Sequence, residues 1–221
     1  MKHILTASFI TLSLVGCATS ETSNVLESVK VASAASNYTG VKTPVSVGKF
    51  NNRSSYMRGI FSDETDKLGN QSKTILESHL QQTGYFSVLN RTNLDELKQE
   101  AAFSGKTQAV KAARYVVTGD VTEFGRKEVG DQQLFGILGR GKTQVAYAKV
   151  SLNVVNTQTS EIVESVQGAG EFKLGEREVL GFGSTASYDS TLNGKVLDLA
   201  IREAVNNLVS AVQAGKWTPA K

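Results

Sequence analysis

The chain holds little of what builds disulfides and metal centres. One cysteine and two histidines occur in 221 residues. A single cysteine excludes an internal disulfide and any cysteine-based metal cluster. Two prolines stand against 20 glycines. Proline-rich linkers are thereby excluded, and tight turns or close backbone approaches are expected. Beyond the N-terminus there is no apolar run of about 18 residues, so no transmembrane helix is expected; strands of a β-barrel would be the only other way across. The net charge of +3 is too near neutral for a nucleic-acid footprint. With 40% hydrophobic and 20% charged residues the chain can build a packed core. Its length suits one domain with appendages.

What is present begins at the N-terminus. Lys2 is followed by the apolar run ILTASFITLSLVG at 4–16, too short to span a bilayer but suited to a signal peptide. It ends in Leu14-Val15-Gly16-Cys17. That quartet resembles the lipobox of bacterial lipoproteins, whose cysteine is lipidated and becomes the first mature residue. Residues 1–16 are therefore read as a lipoprotein signal peptide and Cys17 as the lipidation site. Ala18 follows, not aspartate, which by the bacterial sorting pattern directs the protein to the outer membrane. Residues 17–43 are rich in Ser, Thr and Ala and read as the lipidated N-terminus and tether, with room for one short helical stretch.

The folded part is read as 44–221. Val45, Val47 and Phe50 mark a first strand. Leu68, Ile75, Leu76 and Leu80 mark a helix from Asp66, stopped by Gly84. A second strand is expected at 85–89. Thr92 reads as the N-cap of a short helix with Leu94, Leu97 and Ala101 on one face. Further helical turns are expected over 106–113, and a third strand over 115–124. Residues 144–155 alternate strictly, with Ala146, Ala148, Val150, Leu152 and Val154 on one side. A turn at Thr157–Ser160 leads to a partner strand at 161–167. Residues 195–214 are an amphipathic helix flanked by Asn193-Gly194 and Gly215. The order predicts an α+β fold, an α/β sandwich of a mixed sheet with helices packed on it. The glycine-rich segments 125–143 and 168–191 are each long enough for two strands of roughly ten residues and a turn.

Gly136-Ile137-Leu138-Gly139-Arg140-Gly141-Lys142-Thr143 matches the spacing of a phosphate-binding P-loop. A P-loop must open a helix, and the residues that follow read as a strand, so no nucleotide is assigned. His3 leaves with the signal peptide. His79, the remaining histidine, falls on the apolar side of its helix and reads as a packed residue. Glu64, Asp66, Asp95 and Glu96 read as helix-start charges. No nucleophile elbow or metal-ligand spacing occurs. No catalytic residue, metal or cofactor is assigned, and the chain is not read as an enzyme. Tyr56, Ile60 and Phe61 are apolar residues in the polar stretch 51–63. Either they fold back on the core, or they project into a pore or partner surface.

Taken in order, VSVGKFNN at 45–52, YFSVLNRTNLDEL at 85–97, ARYVVTGDVTEF at 113–124, LFGILG at 134–139 and VSLNVVNTQTSEIVESV at 150–166 resemble the CsgG family, the curli secretion channel lipoproteins of the outer membrane. The resemblance runs from about Val45 to the final helix. It implies a periplasmic α/β domain with two inserted hairpins, at about 120–150 and 163–190. In channel members the hairpins of a homo-oligomeric ring join into one β-barrel, and loops meet at its centre as a constriction. The constriction would fall in 51–63, where Tyr56 and Phe61 match the family's aromatic pair in spacing. Ile60 stands where the curli channel has a polar amide. Glu171, Lys173, Glu176, Arg177 and Glu178 crowd the first strand of the second hairpin. The implied function is a passive protein-export pore serving a secreted substrate with periplasmic accessory proteins. The alternative is a lipid-anchored binding or assembly module that docks on an envelope partner without a pore.

Overall fold

The computed structural model describes residues 30–35, 38–56, 66–131, 141–173 and 190–217. After a short 3-10 turn at Ala32–Ala35, five strands and three helices follow. They are β1 (Thr43–Asn52), α1 (Lys67–Gln82), β2 (Phe86–Leu89), α2 (Leu94–Phe103), β3 (Tyr115–Asp131), β4 (Gly141–Asn156), β5 (Ile162–Lys173) and α3 (Ser190–Gln213). One sheet holds all five strands in the order β2-β1-β3-β4-β5. β1 runs parallel to β2 and β3, whereas β3, β4 and β5 are antiparallel neighbours. The sheet is thus mixed and open, with no barrel closure among the described residues.

Alternation explains which face is buried. Val45, Val47, Val117, Val121, Val150, Leu152 and Val154 are buried beneath α1 and α3. The β1 register shifts between Val47 and Phe50. That irregularity keeps Phe50 in the core, its ring lying over Gly119. α1 buries Leu68, Ser72, Leu76, His79 and Leu80, one stripe of a helix. α3 buries Val196, Leu197, Ala200, Ile201, Ala204, Val205 and Leu208. Trp217 closes the far end, stacked on Phe86 and edge-on to Tyr115. On the opposite sheet face Val116, Thr118, Ser151 and Asn153 stay half-buried and Lys149 is exposed.

Several expectations change. β3 does not stop at 124: it continues through Gly125 to Asp131, paired residue by residue with β4 back to Gly141. The pairing partner, not the local composition, extends it. Residues 106–113 form no helix. Asn93, not Thr92, holds the cap position of α2, and its side chain makes no cap hydrogen bond. Asn90 organises that turn instead, its Oδ1 accepting from Thr92 N and Asn93 N. α2 buries none of its residues. α3 starts at Ser190, so Gly194 lies inside the helix rather than before it. β5 runs to Lys173, beyond the expected end at 167. Of the two hairpin ranges, 120–150 falls across β3 and β4 with 132–140 outside the described residues. The range 163–190 falls on β5 up to 173, with 174–189 outside them.

Candidate functional site

The loop between β1 and α1 is framed by two polar residues. Asp66 caps α1, its Oδ1 accepting from Gly69 N at 2.7 Å. Its Oδ2 accepts from Asn52 N, also at 2.7 Å. One carboxylate therefore holds both ends of the 53–65 stretch, and charge-assisted bonds of this kind are roughly twice as strong as neutral ones. Asn52 works from the strand side. Its Nδ2 donates to Tyr56 O at 2.7 Å, and its Oδ1 accepts from Ser54 N at 3.0 Å. Arg53 N and Ser54 N both donate to Val121 O on β3. The loop thus leaves β1 in a fixed direction.

Tyr56 packs against the core, its ring 4.6 Å from that of Phe124 and tilted to it by 56°. Ile60 and Phe61, the other two candidate constriction residues, lie outside the described residues, as does Cys17. Reasoning from sequence took Asp66 as a helix-start charge but missed its second oxygen and the part played by Asn52. An Asp before a helix announces the first role, and nothing local announces the second.

The stretch before β1 is fastened to the domain. Val31 is buried in the core, and Ala32 N donates to Asn206 Oδ1 on α3 at 3.0 Å. Tyr38 stacks on Tyr85 with ring centroids 4.0 Å apart, and Gln213 Nε2 donates to Tyr85 OH at 2.9 Å. If Cys17 carries lipid, about 14 residues separate it from Val31, a reach of at most about 50 Å. Val31 is one of four valines in the Ser-, Thr- and Ala-rich stretch 17–43, and nothing local singles it out as the one that enters the core.

His79 is buried, its Nε2 2.8 Å from Asp198 Oδ1 on α3 and its Nδ1 3.3 Å from Gln82 Oε1. It ties α1 to α3. On the opposite sheet face Lys149 donates to Glu123 at 2.8 Å, and this hydrogen bond holds its ammonium above the usual lysine range. Lys127 pairs with Glu171 across β3 and β5 and lies 5.5 Å from the centre of the Tyr147 ring. These groups line a shallow depression of about 380 Å³. Among the described residues no three His, Cys, Asp or Glu side chains could share a metal ion. Residues 141–143 of the P-loop-like stretch open β4, a strand where phosphate binding needs a helix.

The features define a class: a two-layer α/β domain with a helix pair on one face of a mixed, open sheet, preceded by a strap that ties its N-terminus to α3. No described helix is long and apolar enough to cross a membrane. The family described as curli production assembly/transport component CsgG matches residues 23–220. A protein of Neisseria meningitidis serogroup B, named as a lipoprotein, is 65% identical over 222 residues, covering 99% of each chain. The chain belongs to the CsgG family. Among solved structures, the PelC dodecamer from Paraburkholderia phytofirmans is 15% identical, with a TM-score of 0.37 over 75% of this chain and 87% of that one. Lipoprotein GNA1162 from Neisseria meningitidis is 14% identical, with a TM-score of 0.36 over 76% of this chain and 98% of that one. Neither likeness bears on what this chain does.

Proposed function

We propose that the protein is an outer-membrane lipoprotein, lipidated at Cys17, that assembles into a homo-oligomeric ring and forms or supports a passive protein-export pore. The observation that carries the reading is the length of the β3–β4 pair. It runs on past the buried Phe124 to Asp131 opposite Gly141. Around Phe124 the two sides differ in chemistry. Glu123 and Lys149 stand on one face with Lys127, Glu171, Tyr147 and the buried Val145, and Phe124, Ala146 and Ala148 are buried on the other, which also carries the exposed Arg126. A strand pair of that kind can present one polar and one apolar side to a barrel wall. The 53–65 loop would supply the constriction from its pinned base, with Tyr56, Ile60 and Phe61 as candidates. Transport through it needs no catalytic group: confinement selects an unfolded chain, and accessory proteins give direction.

A second reading keeps the domain and drops the pore. It is favoured by Tyr56, which packs on Phe124 instead of standing clear of the domain. In that case the lipid-anchored domain docks on an envelope partner. Fractionation of a Cys17→Ala variant, exported behind a cleavable non-lipoprotein signal peptide in place of residues 1–16, separates the two. The channel reading expects the variant to stay with membranes after an alkaline wash and to need detergent for extraction. Release into the soluble fraction would contradict it and favour the docking module.

A further inference from the structure

The two edges of the sheet differ. The β2 edge is four residues long, and Gln81 Oε1 accepts from Val88 N there at 3.3 Å. β5 forms the other edge, twelve residues without proline. Its pairing with β4 is irregular only near its start, where Ile162 and Glu164 stand opposite Val155 and Val154. Short edges, prolines and bulges are the usual means by which a sheet excludes a further strand. Beyond Glu164, β5 uses none of them.

Two side chains fix the direction of the β5 backbone. Asn207 Nδ2 on α3 donates to Gln167 O at 2.8 Å, and Glu164 Oε1 accepts from Ser165 N at 3.2 Å. Backbone groups that meet these side chains are not the ones turned to β4. Bonded and unbonded positions alternate in an antiparallel ladder. Val166, Gly168 and Gly170 therefore bond to β4, and Ser165, Gln167, Ala169 and Glu171 turn their N–H and C=O groups to the free edge. All four are exposed. Among the described residues, the N–H of Gln167 and both backbone groups of Ala169 and Glu171 have no partner. The helix side has space for a neighbour. Next to Val166 a groove of about 400 Å³ runs between β5 and α3, where Asn207, Ser210, Ala211 and Ala214 line it.

We propose that the β5 edge from Ser165 to Glu171 takes up an extended segment of a partner polypeptide as an added strand. The free groups recur at every second residue, about 6.7 Å apart. An extended backbone is the ligand whose donors and acceptors repeat at that distance. In the added strand, small apolar side chains at alternate positions enter the groove beside Val166, and the intervening polar ones turn out with Ser165 and Gln167. Main-chain bonds supply the affinity, and the groove supplies the selection. The inference goes beyond both readings of function and holds under either, because it concerns the contact and not the pore.

The test uses the full-length lipoprotein in detergent and a fluorescent synthetic peptide that alternates threonine and valine between terminal lysines. Two N-methylated forms are compared with it, one blocked at the threonine amides and one at the valine amides. With valines in the groove, the threonine amides face β5. Blocking them should weaken binding about tenfold or more, whereas blocking the valines should leave it within about threefold. Ala169→Pro should weaken binding as much and keep the native thermal midpoint, since proline is tolerated on an edge strand. Gln167→Pro, which removes the neighbouring free N–H, is the second variant. Hydrogen exchange over 165–171 should slow when the peptide is added. A peptide that does not saturate the protein below about 1 mM, equal affinity for the two methylated forms, or binding that survives both proline substitutions would each overturn the proposal. Slow exchange over 165–171 before any peptide is added would overturn it too. If that protection is lost on dilution, a second copy covers the edge; if it is kept, the chain covers its own edge. Conductance and fractionation decide between the channel and the docking module separately, so failure here leaves both readings standing.

Discussion

Replacing Gly168 with valine should prevent the domain from folding, or destabilise it by at least about 3 kcal/mol, the upper part of the range for overpacked cores. The reason is the separation between β5 and α3. A Cβ built at Gly168 would lie 2.2 Å from Ala200 O and 2.3 Å from Ala204 N. Gly170 is similar, 2.8 Å from Ala200 N and from Val196 O. These obstacles are helix backbone, not the ends of flexible side chains. A methyl group at either site must push α3 off the sheet, and Ala200, Ile201 and Ala204 are fully buried there. Gly168→Ala should already cost more than 1 kcal/mol, within the usual cost of overpacking. Gly194 supplies the contrast. It lies within α3, and among the described residues its added Cβ would meet Gln71 Nε2 alone, at 3.3 Å, the end of a flexible side chain. Gly194→Ala should therefore stabilise the protein by about 0.5–1 kcal/mol, the ordinary helix preference for alanine over glycine. Denaturant midpoints of the three variants check the ordering. A Gly168→Val variant within about 0.5 kcal/mol of the native chain, the spread of a neutral surface change, would mean that β5 and α3 do not approach this closely.

Replacing His79 with alanine should cost about 2–4 kcal/mol, combining a core cavity with lost hydrogen bonds. The imidazole is 3% exposed and lies between Asp198 on α3 and Gln82 on α1. Asp198→Ala acts differently. It leaves His79 Nε2 buried without its acceptor, a penalty of about 1–3 kcal/mol. Asp198 itself is 37% exposed, so water can solvate its carboxylate when the histidine is removed. The double variant should therefore cost less than the two single changes together, by about 1 kcal/mol, as contacting residues do. Each kcal/mol should lower Tm by about 2–4 °C in a domain of this size. Additive single effects would show that the pair does not couple the helices.

Much of this fold is legible in the sequence where burial is periodic. The alternation from Ala146 to Val154 marks β4, and the apolar stripe from Leu197 to Leu208 marks α3. Both signals are local, because each element faces a single core. Gly168 and Gly170 resist such reading. As letters they sit in a glycine-rich stretch that suggests a turn. Their physical role is to let a helix backbone approach, and that helix lies about thirty residues further along the chain. α2 fails in the opposite way. Its spacing of Leu94, Leu97 and Ala101 announces an apolar face correctly, but spacing says nothing of whether the same chain covers that face. Leu97 remains exposed. The candidate loop is intermediate. The aromatic residues were visible as apolar groups in polar surroundings, and Tyr56 is found against Phe124. The bond from Asn52 N to Asp66 that closes the loop spans 14 residues, and no periodicity reports it.

The most direct test of the functional account is single-channel recording. Full-length lipoprotein is extracted from outer membranes in detergent, its mass is determined by light scattering, and it is then reconstituted in planar bilayers. The account predicts a large ring with a steady conductance that changes in Tyr56→Ala or Phe61→Ala. A small particle that carries no current in repeated reconstitutions would contradict it.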